Sequence, residues 1–86
     1  MRSTALLICN VSEGMFPEER SVSFQASDGC QVELFVTERR IIDNKLEITI
    51  LEEKNGRSLI ELPAEPLNES AVLTVRNDII KKPITV

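Results

Sequence analysis

An alternation of apolar and polar residues on both sides of an Asp-Gly pair constrains the fold of this chain more than any other feature. Residues 20–36 read RSVSFQASDGCQVELFV. A period of two is typical of strands with one buried face, so this segment predicts a β-hairpin. The apolar positions share one face on each side of the turn: Val22, Phe24 and Ala26 before it, and Cys30, Val32, Leu34 and Val36 after it.

The length of the hairpin loop follows from the same alternation. A two-residue loop would place Phe24 opposite Glu33 and would mix polar with apolar side chains on each face. A three-residue loop at residues 27–29 places Phe24 opposite Val32 and keeps the apolar side chains together. We therefore expect the longer loop, with Gly29 in the left-handed conformation of a G1 bulge.

A second hairpin is predicted from residue 46 to residue 62, with Lys-Asn-Gly at its turn. Alternation again favours a three-residue loop, at residues 54–56, with Gly56 at positive φ. This register places Ile50 opposite Ile60. It also places Glu53 opposite Arg57, as a cross-strand pair of opposite charge.

The rest of the chain predicts more short strands and no long helix. Strands are expected at residues 5–11 and 71–75, and residues 38–44 have room for a single helical turn. Six strands and two hairpins with Gly-containing three-residue loops predict an all-β fold. We expect a small six-stranded antiparallel barrel or a compact sandwich, of the size of SH3-like or OB-like domains.

The length of 86 residues predicts one domain, residues 1–86. Residues 77–86 are expected to form an edge strand or a loosely held tail, because Pro83 cannot donate a ladder hydrogen bond. The apolar run at residues 5–9 is shorter than a signal-peptide core, and no stretch reaches the length of a membrane span. We therefore expect a cytoplasmic protein without a membrane partner.

Composition argues against most catalytic sites. The chain has no histidine, which excludes Ser-His-Asp and Cys-His catalysis and all His-containing metal sites. We expect no enzyme activity and no cofactor. Cys9 and Cys30 are expected to be free thiols, with Cys30 buried as a small apolar side chain on the inner face of its strand.

Large apolar residues at unusual positions are the candidates for a binding surface. Met15 and Phe16 lie in a polar connection, and Phe16 either packs back to plug one end of the barrel or forms an exposed anchor. Phe35 is predicted on the outer face of the first hairpin, and Leu51 and Leu59 on that of the second. If the two hairpins adjoin in one sheet, Phe35, Leu51 and Leu59 form a continuous apolar patch.

These features favour a small non-enzymatic β-domain that acts as a protein-interaction or self-association module. Its partner is then another protein or a second copy of the chain. The alternative is a nucleic-acid-binding small β-barrel, although a net charge of −4 disfavours it. In that alternative the phosphate contacts are the two basic doublets, Arg39-Arg40 and Lys81-Lys82.

Overall fold

A computed structural model describes residues 3–67 and 70–81 of the chain. This part folds into antiparallel β-structure with two short 3-10 helices, Glu38–Arg40 and Asn77–Ile79. The all-β prediction is confirmed. Nine strands are assigned in these residues: β1 Ser3–Ile8, β2 Asn10–Glu13, β3 Glu19–Gln25, β4 Gln31–Thr37, β5 Ile41–Ile42, β6 Lys45–Lys54, β7 Arg57–Glu61, β8 Val72–Arg76 and β9 Ile80–Lys81.

The strands form two antiparallel sheets. The six-stranded sheet has the order β8-β7-β6-β1-β9, and β5 also pairs with β6. The three-stranded sheet has the order β2-β3-β4. Within the described ranges no strand pairing joins the two sheets into a closed barrel.

The chain passes from one sheet to the other at Cys9. The segment 5–11, expected as one strand, is divided there into β1 of the six-stranded sheet and β2 of the three-stranded sheet. β1 lies between β6 and β9, with Leu7 opposite Leu46 on one side and Ile80 on the other. Its position inside the sheet does not bury both of its faces: Ala5 and Leu7 are buried, whereas Leu6 is half-buried and Ile8 is exposed.

One hydrophobic core lies between the sheets. Both sheets contribute alternate residues to it, as the period of two predicts. Fully burying a Val, Leu or Ile side chain stabilises the fold by about 1.5–3 kcal/mol. The three-stranded sheet contributes Val22, Phe24, Val32, Leu34 and Val36; the six-stranded sheet contributes Ala5, Leu7, Leu46, Ile48, Ile50, Ile60, Leu62 and Val75.

In the first hairpin, β3 and β4 pair in the register that the burial pattern predicts, with Phe24 opposite Val32. The Ala26 N–H donates to the Cys30 carbonyl over 2.9 Å, and Gly29 has φ +87°. Cys30, however, is exposed, so its expected burial is wrong. The residue lies beyond the last core pair, at the end of the loop, where its N–H donates to the Asp28 carboxylate over 3.0 Å.

In the second hairpin, the expected three-residue loop is wrong. Lys54 pairs directly with Arg57, so the loop contains two residues, and both have positive φ: Asn55 at 53° and Gly56 at 76°. Two such residues are typical of a type I′ turn. A register shift between Ile50 and Glu52 then restores the apolar face.

That shift changes which charges meet across the hairpin. Ile50 still pairs with Ile60, as predicted, because the extra residue absorbs the one-residue difference in loop length. Glu53 pairs with Ser58 rather than with Arg57, so the predicted cross-strand pair of opposite charge does not form.

Two similar connections complete the six-stranded sheet. After β4, the first 3-10 helix leads into β5, and after β8 the second leads into β9. The first lies in the segment where a single helical turn was expected. Part of the predicted C-terminal edge strand is present as β9; residues 82–86, including Pro83, lie outside the described residues.

Candidate functional site

The connection between β2 and β3, residues 14–18, projects beyond the three-stranded sheet; we call it the tip loop. Its ends are closed by hydrogen bonds: the Gly14 N–H donates to the Glu19 carbonyl, and the Glu19 N–H donates to the Phe16 carbonyl, each over 3.0 Å. The Met15 N–H donates to Glu19 Oε1 over 2.8 Å. The backbone of the loop is thus ordered by its own bonds.

Gly14 is required by close packing at the base of the tip loop. A Cβ atom at this position would lie 2.7 Å from Glu19 Cγ and 2.9 Å from the Glu19 carbonyl carbon. Such short carbon–carbon distances do not occur without a shift of the chain. The missing side chain at Gly14 therefore allows the two ends of the loop to approach.

Arg20 ties the tip loop to the rest of the three-stranded sheet. Its guanidinium donates to the Pro17 carbonyl and to Glu38 Oε2, each over 3.0 Å. The Glu38 N–H in turn donates to the Glu18 carbonyl over 2.8 Å. These contacts connect the loop to the end of β4 and to the first 3-10 helix.

The side chains of Met15 and Phe16 extend from this hydrogen-bonded loop into solvent. Their side chains are 78% and 67% exposed. The expectation that Phe16 plugs one end of the core is therefore wrong. A five-residue loop whose ends are hydrogen-bonded together is too short for the Phe16 side chain to reach back between the sheets.

The predicted patch of Phe35, Leu51 and Leu59 does not form, because the two hairpins lie in different sheets. Phe35 is in β4, while the two leucines belong to β6 and β7. All three are partly buried, and none of them packs against the core. Leu51 is the extra residue of the bulge, and it is Glu52 that pairs with Leu59.

Three basic residues form a row that the sequence did not predict. Lys54 pairs with Arg57 across β6 and β7, and Arg57 pairs with Arg76 across β7 and β8. We call these three residues the basic row. All three are exposed, and Arg76 forms an ion pair with Asp78 at 3.0 Å. Among the described residues, no acidic side chain pairs with Lys54 or Arg57.

A shallow groove lies beside Lys54 and Arg57 of the basic row, on the outer face of the six-stranded sheet. Arg57 and Leu59 lie on this face because the residue between them, Ser58, is buried. Leu59 gives the groove an apolar floor. The groove is lined by Glu52, Lys54, Asn55, Arg57, Leu59 and Thr74.

The two predicted basic doublets do not form one cationic surface. Arg40 is paired with Glu47 at 2.9 Å, and Arg39 is exposed on the first 3-10 helix. Lys81, in β9, pairs with Leu6 of β1, which in turn pairs with Glu47 of β6. A carboxylate therefore lies between the two basic positions. Lys82 lies outside the described residues.

Cys9 and Cys30 do not form a disulfide bond with each other. Burial raises the pKa of the Cys9 thiol, while a backbone hydrogen bond at Leu46 lowers it less strongly. Residues 3–67 and 70–81 contain no group of three or more Cys, Asp or Glu side chains placed to hold a metal ion. No helix in these ranges is long and apolar enough to cross a membrane.

Comparisons with protein-family models, with curated proteins and with solved structures find no match for this chain. The surface features of the described residues therefore carry the functional conclusion. Of these, the tip loop presents two adjacent large apolar side chains. The basic row presents Lys54 and Arg57, which have no acidic partner among the described residues.

Proposed function

We propose that this protein is a non-enzymatic interaction module that binds another protein or a second copy of itself through the tip loop. The observation that carries the proposal is the exposure of Met15 and Phe16, at 78% and 67%, on a loop ordered by its own hydrogen bonds. Met and aromatic residues are enriched in the cores of protein interfaces.

Energetics supports the tip loop as a contact point. Burying Met15 and Phe16 in a partner contributes about 1.5–3 kcal/mol for each fully buried side chain. The hydrogen bonds of Glu19 and Arg20 fix the loop before contact, which lowers the entropic cost of binding. A few such anchors carry most of the binding energy in typical interfaces.

The proposal includes a cytoplasmic location, supported by two cysteines that are not joined in a disulfide bond. Nucleic-acid binding through Arg39, Arg40, Lys81 and Lys82 is the weaker proposal. The Arg40–Glu47 ion pair reduces the positive charge available there. Phe35, the aromatic side chain on the outer face of β4, lies in the other sheet from Lys81, so it cannot serve with it as a stacking platform.

Site-specific photo-crosslinking tests the proposed function. A crosslinking amino acid replaces Phe16 in one variant and Leu67 in a second variant. Leu67 is a matched control, because its side chain is 68% exposed, close to the 67% of Phe16. We expect discrete protein adducts in cells from position 16 and none of the same mass from position 67. Equal adduct patterns at the two positions would exclude the tip loop as the contact point.

A further inference from the structure

We propose that the partner of the tip loop is a second copy of this chain, and that the loop docks into the groove along that copy's basic row. This inference rests on the proposed function and identifies its partner. It is based on two complementary surfaces that the same chain carries at different positions.

The basic row needs an anionic partner. Lys54, Arg57 and Arg76 lie on adjacent strands about 4.8 Å apart, and like charges directly opposite each other destabilise a sheet. Such a row is unexpected in a chain with net charge −4. Asp78 compensates only Arg76 within the described ranges. Glu52 also lines the groove, but within the described ranges its carboxylate forms no ion pair with a basic side chain.

The tip loop has the opposite charge. Glu13 and Glu18 are exposed on either side of Met15 and Phe16, so the loop is an apolar anchor flanked by carboxylates. The groove has the complementary composition, with Leu59 as an apolar floor beside basic side chains. Arginine binds carboxylates through two parallel hydrogen bonds, which makes Arg57 the central contact for Glu13 or Glu18 of the neighbouring molecule.

The contact joins two different surfaces, and each molecule carries both of them. The tip loop belongs to the three-stranded sheet, and the groove to the outer face of the six-stranded sheet. After one such contact, the molecule that used its tip loop still has a free groove, and the molecule that used its groove still has a free tip loop. Such contacts build an open chain of molecules unless they close, either as a ring or as a dimer in which each molecule docks its loop into the groove of the other.

Mixing two complementary variants tests this arrangement in analytical ultracentrifugation. Phe16→Ser removes the anchor and leaves the groove intact, whereas Arg57→Glu reverses the groove and leaves the tip loop intact. We expect the mass of the wild type to rise with concentration. Each variant alone should associate about tenfold more weakly or worse, and an equimolar mixture should form a one-to-one dimer that grows no further.

Exchanging the charges of Glu18 and Arg57 tests the electrostatic part of the contact. Glu18→Arg combined with Arg57→Glu in one chain should restore association, and the control Arg39→Glu should associate like the wild type. If Arg57→Glu does not fold, as judged by circular dichroism, Lys54→Glu replaces it in the same experiment. Raised salt should weaken wild-type association, since the contact is partly electrostatic and solvent-accessible.

Several results would overturn the inference. If Arg57→Glu associates like the wild type, the basic row is excluded. If the equimolar mixture of Phe16→Ser and Arg57→Glu does not associate although the wild type does, the wild-type contact does not join the tip loop to the groove. A wild type that stays monomeric at its highest soluble concentration would exclude the second copy, while crosslinking at position 16 would still test the proposed function. Binding of a labelled single-stranded oligonucleotide that Arg57→Glu abolishes would assign the row to nucleic acid.

Discussion

At the scale of single residues, Asn55 and Gly56 decide where the charges of the second hairpin lie. Both adopt positive φ, and their two-residue turn brings Lys54 opposite Arg57. Apolar alternation predicted the pairing of Ile50 with Ile60 correctly but not the loop length, because a bulge can change one without the other. The Asn55-Gly56 pair is itself typical of a two-residue turn, which would place Lys54 opposite Arg57. Apolar alternation favoured the longer loop only because it does not reveal the bulge.

The turn glycines provide a direct test of this backbone geometry. Gly29→Val and Gly56→Val should each lower the free energy of unfolding by about 1 kcal/mol or more, because a β-branched residue is strained at positive φ. A Cβ at either position meets no atom within 4 Å, so the loss would come from the backbone alone. Urea denaturation measures it. Gly56→Asn is the control and should cost less, since Asn tolerates this conformation; equal losses for Val and Asn would contradict the backbone origin.

At the scale of elements, the tip loop shows how far sequence could locate the candidate site. Met15 and Phe16 stood out as large apolar residues in a polar connection, but two orientations of Phe16 were compatible with the sequence. The choice between them depends on the contact of Gly14 with Glu19, which closes the loop. Contacts between the ends of a loop are tertiary features, and residue type alone does not specify them.

Gly14→Ala tests whether the closed loop positions the anchor. The added methyl group would collide with Glu19 atoms at 2.7–2.9 Å, so the loop must shift. We expect a loss of about 1–3 kcal/mol of folding stability, the usual cost of overpacking. Crosslinking from position 16 should fall as well, although Met15 and Phe16 are unchanged. Ser12→Ala, on exposed β2, is the matched control and should alter neither measurement; undiminished crosslinking in Gly14→Ala would show that the closed loop is not required.

At the scale of the whole molecule, strand alternation predicted two hairpins and one core but not their arrangement. The chain changes sheets at Cys9, and the two hairpins lie in different sheets. Alternation gives the buried face of each strand, whereas strand order depends on which edges meet after the chain has crossed the core. The predicted patch did not form for this reason: Phe35 lies in β4 and Leu51 in the bulge of β6, and these strands belong to separate sheets.

This separation predicts that Phe35 and Leu51 act independently in folding. Stacked sheets lie about 10 Å apart, and residues on their outer faces are farther apart still. The losses of unfolding free energy in Phe35→Ser and Leu51→Ser should therefore add in the double variant to within about 0.5 kcal/mol. Urea denaturation of the four proteins gives the coupling energy directly. A coupling well above that limit would mean that the two side chains share a surface, as they would if both hairpins belonged to one sheet.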